Sequence, residues 1–103
     1  MNENSFVLKN TFDRAVKAYK ISQLHESEMF FTSILKKNPN HSQTIFYLGM
    51  IALKNKDFDK AKIFSQKAIK INPTFAEAHH NLGESFKNLG ETEKAIVSYK
   101  AAI

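Results

Sequence analysis

Cysteine is absent from this chain of 103 residues, and proline and glycine are scarce. Without cysteine the chain cannot form disulfide bonds, thiolate metal sites or a thiol nucleophile. The only chain breakers are Pro39, Pro73, Gly49, Gly83 and Gly90. Such a composition leaves room for long helices and argues against a β sandwich, which needs many turns.

Long apolar runs are also missing. No run approaches the roughly 20 residues that span a bilayer. The N-terminus, Met-Asn-Glu-Asn-Ser, lacks a basic stretch followed by an apolar one, so no signal peptide is indicated. Since the lack of cysteine fits a reducing compartment, we expect a cytoplasmic protein with no membrane association.

The formal net charge of +5 could indicate a polyanionic partner. The lysines, however, are spread along the chain and mixed with Asp and Glu, as on solvated helix faces. Weak nucleic-acid binding through a basic surface therefore stays an alternative, since no one-sided basic stripe supports it.

An internal repeat dominates the sequence. Pro39 and Pro73 lie 34 residues apart, and each follows an asparagine. The same offset relates three further pairs of dipeptides: Leu48-Gly49 to Leu82-Gly83, Lys60-Ala61 to Lys94-Ala95, and Ala68-Ile69 to Ala102-Ile103. So many coincidences at one offset indicate tandem copies of one structural unit.

A weaker first copy precedes these two. Stepping back by one period maps Phe46 to Phe12 and Gly49 to Ala15, although Leu48 maps to Arg14. We therefore divide the single domain into a leader (1–7), repeat one (8–41), repeat two (42–75) and a truncated repeat three (76–103).

Each repeat is predicted to form two helices. In repeat two, apolar or small residues recur at three- and four-residue spacing on both sides of a polar break at 54–57. Asp57 is a candidate N-cap for the second helix, and Asn40 and Thr74 for the helices that follow the prolines. Gly90 suits a left-handed residue at a helix end. Gly49 and Gly83 inside helices predict close helix crossings, because glycine there otherwise costs about 1 kcal/mol.

Residues 42–103 resemble tetratricopeptide repeats, whose period is 34. The resemblance is carried by Leu48-Gly49, Ala52, Asp57-Phe58-Asp59-Lys60-Ala61, Ala68, Pro73, Leu82-Gly83, Ala95, Tyr99 and Ala102. It implies an all-α fold, a right-handed α-solenoid of three helix-turn-helix units with about six antiparallel helices. It also implies a scaffold that binds a protein or peptide, since this family serves many unrelated partners.

A narrower resemblance links Asn38-Pro39-Asn40-His41 and the segment 72–83 to repeats of certain bacterial multidomain proteins. In those proteins the repeats precede a glycosyltransferase, sulfotransferase or methyltransferase domain. The alternative function is therefore the N-terminal repeat region of such a transferase, although this chain is too short to contain the enzyme domain.

Catalytic and metal-binding patterns are not found. The histidines are His25, His41, His79 and His80, and adjacent histidines on a helix point about 100° apart, so they cannot easily share one ion. No glycine-rich phosphate loop or nucleophile elbow occurs. We expect no active site, no metal and no cofactor.

The resemblance also implies where a partner binds. The first helix of each repeat lines the concave face, and the inward residues form one stripe per helix. The stripes are Phe12, Val16 and Tyr19; then Phe46, Met50 and Leu53; then His80, Glu84 and Lys87, with Asn81 beside them. An apolar groove with a polar end suits an amphipathic helix or extended apolar peptide. The alternative is that Phe12, Tyr19 and Phe46 mainly pack between neighbouring helices.

Two known recognition modes of the family fit poorly. A lysine and asparagine cluster that clamps a C-terminal carboxylate would occupy Phe12, Val16, Tyr47, Glu77 and Asn81, and only Asn81 agrees. A ladder of asparagines along the groove would occupy Asp13, Tyr47 and Asn81, again with a single match.

The predicted last helix carries apolar residues where a terminal repeat normally has a polar face or a capping helix. These residues are Ala95, Ile96, Tyr99, Ala102 and Ile103. The sequence also ends before the expected proline, so we expect a fragment of a longer protein or an end covered by another molecule. Self-association through this end, with or without an exchanged helix, is the specific prediction.

Overall fold

The computed structural model describes residues 3–103, and the first two residues of the leader lie outside this range. Six α-helices follow one another: α1 (Glu3–Lys20), α2 (Leu24–Lys37), α3 (Ser42–Lys54), α4 (Phe58–Ile71), α5 (Ala76–Asn88) and α6 (Thr92–Ala101). No strand occurs among the described residues. Each helix packs on the next, so the chain is an elongated helical array of 45 × 26 × 20 Å. The predicted all-α helical-repeat solenoid is confirmed.

The turns inside the three repeats share one backbone conformation. Ser22, Lys56 and Gly90 have φ values of 63°, 60° and 81°, and they lie 34 residues apart. A left-handed residue after the first helix reverses the chain so that the second helix packs antiparallel to it. The prediction for Gly90 is confirmed, and the same turn accommodates serine and lysine in the other repeats.

The helix starts were predicted less well. Asp57 caps α4, because its side chain accepts a hydrogen bond from the Lys60 amide, as predicted. Asn40 and Thr74 are not caps; α3 is capped by His41, and α5 begins after Phe75 with no side-chain cap. The predictions were one residue early because the turn after each asparagine needs four residues before the helix can begin.

The two helical glycines mark close helix crossings, as predicted. A Cβ atom on Gly49 would meet Phe64 Cβ at 3.4 Å and Ser65 Oγ at 3.5 Å. A Cβ atom on Gly83 would lie only 2.7 Å from the ring of Tyr99. Small residues therefore permit the antiparallel helices of repeats two and three to approach closely.

Two core clusters hold the array together. The first joins α1, α2 and α3 through Ala15, Phe31, Ile34, Leu48 and Ile51. The second joins α3, α4 and α5 through Ile45, Ala68 and Ala78. The first is the larger and more aromatic, and the apolar stripe predicted on α1 packs against it.

Candidate peptide-binding groove

The apolar stripes of α1 and α3 are brought together by aromatic contacts. The Tyr47 ring meets the rings of Phe12, Tyr19 and Phe46 edge-on, with centroids 5.9, 5.6 and 5.3 Å away. Beneath them, Tyr47 stacks on the fully buried Phe31 at 5.0 Å. The stripes on two different helices therefore form one continuous aromatic surface.

These aromatic residues have a structural role as well as an exposed edge. Phe12, Val16 and Tyr19 pack against the first core cluster, and Phe46 packs against the second. All four are nevertheless only half-buried. Part of each side chain therefore packs between helices, as the alternative interpretation of the sequence expects, and the rest is accessible.

Met50 and Leu53 differ from the rest of the apolar stripes. Both are half-buried, and among the described residues neither belongs to, or packs against, one of the two core clusters. Their side chains can therefore change partners at little cost to the core. Methionine in particular adapts its shape to irregular apolar surfaces.

A lysine borders the apolar surface. The Lys54 ammonium lies 5.0 Å from the centre of the Tyr19 ring, a cation–π contact between repeats two and one. Burial raises the pKa of the Tyr19 phenol above its ordinary value, and the neighbouring Tyr47 raises it further. Tyr19 therefore stays neutral at physiological pH, with the Lys54 ammonium over its ring.

The third stripe, on α5, is polar and partly engaged. Tyr99 Oη donates a hydrogen bond of 2.7 Å to Glu84 Oε1, and His80 Nε2 lies 3.9 Å from the same oxygen. Burial, and then the Glu84 hydrogen bond and charge, raise the pKa of Tyr99 to about 12. His80 and Lys87 are exposed, so this end of the face offers donors and one oriented carboxylate.

Asn81 does not lie on the groove surface as predicted. Only 5% of its surface is exposed, and its Nδ2 atom is buried without a hydrogen-bond partner. It occupies the repeat position of Tyr47, and Tyr47 points toward the preceding helix, where it stacks on Phe31. The position thus faces the junction between repeats, which sequence spacing alone does not reveal.

The residues predicted for self-association differ in their exposure. Ala95 is 3% exposed and cannot contact another molecule. Tyr99 is occupied by its bond to Glu84, and Ala102 is half-buried. Ile96 and Ile103 remain exposed, and Val97, which the prediction omitted, is exposed to 68%.

Other chemistry is not evident in the described part of the chain. No group of three or more His, Cys, Asp or Glu side chains in residues 5–103 is placed to hold a metal ion. None of the described helices combines the length and apolar character needed to cross a membrane. A concavity of about 390 Å³ beside Val7, Leu8 and Ile34 contains none of the predicted groove residues.

The family model for the tetratricopeptide repeat matches residues 30–63 and 64–97. The chain belongs to the tetratricopeptide repeat family. Both matched stretches have the predicted period, although their frame begins inside α2 and not at the start of a repeat.

Tetratricopeptide regions of sugar transferases are among the relatives in sequence. The chain is 30% identical over 95 residues to the UDP-N-acetylglucosamine–peptide N-acetylglucosaminyltransferase of Caenorhabditis elegans. It is 35% identical over 78 residues to the protein O-mannosyl-transferase TMTC3 of Homo sapiens. These alignments cover 92% and 75% of the chain, and it spans only 8% of the length of each relative.

Solved structures match the whole array. The O-GlcNAc transferase of Thermobaculum terrenum, as a point mutant, superimposes with a TM-score of 0.94 at 22% identity, over 99% of this chain and 20% of that one. The second tetratricopeptide domain of Spaghetti (RPAP3), bound to an HSP90 peptide, gives 0.88 at 16% identity, over 92% and 88%. Both are similar in fold.

Proposed function

We propose that the concave face of this chain binds a peptide or an amphipathic helix of a partner protein. The observation that supports this is the half-buried apolar surface of α1 and α3, in which Met50 and Leu53 lie outside both cores. Apolar side chains that a core does not use gain free energy when a ligand covers them, at about 25 cal/mol per Å².

The polar end supports a direction for the ligand. The apolar residues of the ligand contact α1 and α3. Its polar or basic residues lie near Glu84, whose Oε1 accepts a hydrogen bond from Tyr99. A similar domain, that of Spaghetti, is bound to an HSP90 peptide. Here Asn81 matches one of the five carboxylate-clamp positions, and the other four hold Phe12, Val16, Tyr47 and Glu77. The preferred ligand is therefore an internal apolar segment and not a C-terminal acidic tail.

The test uses random peptides displayed on phage, selected on the wild-type chain and then measured by fluorescence anisotropy. Met50→Gln with Leu53→Gln should weaken the selected peptides at least about tenfold, since two apolar contacts are worth roughly 1.4 kcal/mol or more. The matched control, Met29→Gln with Ile63→Gln, changes side chains that are 60% and 61% exposed on α2 and α4. Selected peptides that bind the groove variant and wild type equally well would exclude this site.

A second function is favoured by the sequence relatives. Because the chain aligns over 92% of its length with a part of a peptide glycosyltransferase, we propose that it belongs to a larger bacterial, cytoplasmic transferase and presents the acceptor peptide to it. The chain itself then binds and does not catalyse. An antibody against this segment should detect, in the native cell extract, a polypeptide several times longer; a band of only this length would contradict the proposal.

A further inference from the structure

The exposed face of α6 combines an apolar centre with opposite charges at its two ends. Ile96 and Val97 are 48% and 68% exposed, and Glu93 and Lys100 are exposed on either side. These residues are spaced i, i+3, i+4 and i+7, so they share one side of the helix. Among the side chains of residues 5–103, neither Glu93 nor Lys100 has an ion-pair partner.

The corresponding face of α4 is different. One repeat earlier the four positions hold Asp59, Lys62, Ile63 and Gln66. A lysine there replaces one of the two apolar residues, and the cation at the far end is missing. The pattern of α6 is therefore not a general property of the second helix in each repeat.

If copies stacked head to tail, α1 of one copy would cover α6 of the next, as α3 covers α2 within one chain. The residues of α3 that pack with α2 in the first core cluster are Tyr47, Leu48 and Ile51, and the last two are nearly fully buried. Their equivalents on α1 are Asp13, Arg14 and Lys17, and all three are exposed. Covering them with the apolar α6 would bury unpaired charges, which costs several kcal/mol. The outer face of α1 is therefore unsuitable as a partner for α6.

We propose that two copies of this chain associate through α6, with the two helices antiparallel about a two-fold axis. The midpoint between Ile96 and Val97 is also the midpoint between Glu93 and Lys100. Placing the axis there brings the four apolar side chains together and sets Glu93 of each copy opposite Lys100 of the other. A two-fold contact requires this kind of self-complementary patch. The contact uses none of the residues predicted for the groove.

The contact is small, because α6 has only 10 residues. Interfaces well below about 1,200 Å² form weak, transient complexes. The dimer should therefore populate in the upper micromolar range, and sedimentation equilibrium from about 10 μM to about 1 mM covers that range. The average mass should rise from that of one chain toward that of two, and no further.

Charge reversal tests the antiparallel pairing. Glu93→Lys alone places a cation opposite Lys100 of the other copy, and Lys100→Glu alone places a carboxylate opposite Glu93. Each single variant should weaken the dimer at least about tenfold at low salt, since like charges repel across the contact. The double variant restores both pairs and should regain wild-type dimerisation, a rescue that a general loss of stability would not give.

Two variants that replace an apolar residue by lysine complete the experiment. Ile96→Lys, which introduces the residue type found at the same position of α4, should leave a monomer. Ile63→Lys, on the equally exposed α4, should leave the dimer intact. A mass that stays monomeric up to 1 mM overturns the proposal, as does growth beyond a dimer. Failure of the double reversal to restore association overturns the proposed pairing.

Discussion

The rings of Phe31 and Tyr47 stack with centroids 5.0 Å apart and planes 11° apart, and this pair joins repeats one and two. One period later, at the junction of repeats two and three, the same positions hold Ser65 and Asn81. Both are buried, and each carries a polar atom without a hydrogen-bond partner. Equivalent positions of one fold thus contribute very differently to stability.

Ser65→Ala should stabilise the chain by about 1 kcal/mol, because it removes a buried hydroxyl that lacks a partner. Ser27 is the control, since its hydroxyl donates a 2.8 Å hydrogen bond to the Ala15 carbonyl. Ser27→Ala should therefore destabilise by a similar amount. Urea unfolding followed by circular dichroism measures both, and effects of equal sign would contradict this account of the two serines.

Gly83→Ala should destabilise by roughly 1–3 kcal/mol, because the new methyl group would overlap the Tyr99 ring. Gly49→Ala should cost far less and could be neutral, since its nearest neighbours are 3.4 Å away and alanine favours the helix. In a Tyr99→Ala background the cost at position 83 should disappear. A thermal-unfolding double-mutant cycle in which the two changes are additive would exclude this clash.

Lys56→Gly should stabilise by about 0.5–1 kcal/mol, because a side chain at φ 60° is strained and glycine is not. Gly90→Ala, at φ 81°, should lose a comparable amount. Lys54→Gly, inside the neighbouring helix, should instead destabilise by about 1 kcal/mol. The melting temperature should therefore rise for Lys56→Gly and fall for the other two variants. A fall for all three would contradict the prediction.

His41 should make the chain less stable in mild acid. Its Nδ1 accepts a hydrogen bond from the Thr44 amide, and burial lowers the pKa of the imidazole below 6.5. Because the folded pKa is lower than the unfolded one, this contribution is complete above pH 6.5 and is lost as the pH falls through the folded pKa. His41→Asn keeps a capping acceptor that does not titrate. Between pH 7.5 and 5 its melting temperature should fall less than that of wild type; equal losses would contradict the role of His41.

Tyr99 should titrate far into the alkaline range. Its pKa of about 12 lies above the ordinary 10.0, so its contribution to stability is present below pH 10 and is lost as the pH rises through 12. Glu84→Gln removes the charge but not the burial, so the pKa should fall while staying above 10.0. Ultraviolet difference titration, with the other tyrosines replaced by phenylalanine, would detect this, and an unchanged midpoint in the variant would rule out the link.

The repeat architecture could be predicted because it is written in local sequence. The 34-residue offset, the proline turns and the small residues at 49, 61, 83 and 95 each have a local physical meaning, and the family model agrees with their period. The cap at Asp57 and the left-handed Gly90 were predicted for the same reason.

The misjudged positions depend on packing between repeats. Asn81 and Ala95 share helix faces with exposed residues, and only the neighbouring helix decides that they are buried. The aromatic network around Tyr47 was likewise missed, because its members are distant in sequence and no single spacing connects them. Similarly, we did not predict from the repeat period that Ser22 and Lys56 adopt the left-handed conformation of Gly90.

The hydrogen bond from Tyr99 to Glu84 joins α6 to the groove face of α5. If a ligand of the proposed groove draws the Glu84 carboxylate toward itself, this bond breaks and one restraint on α6 is released. Thermodynamic linkage is reciprocal. If ligand binding shifts an equilibrium of α6 by some factor through this bond, the same shift in α6 changes the ligand affinity by that factor. One phenol–carboxylate contact would thus couple the proposed groove to the surface of α6.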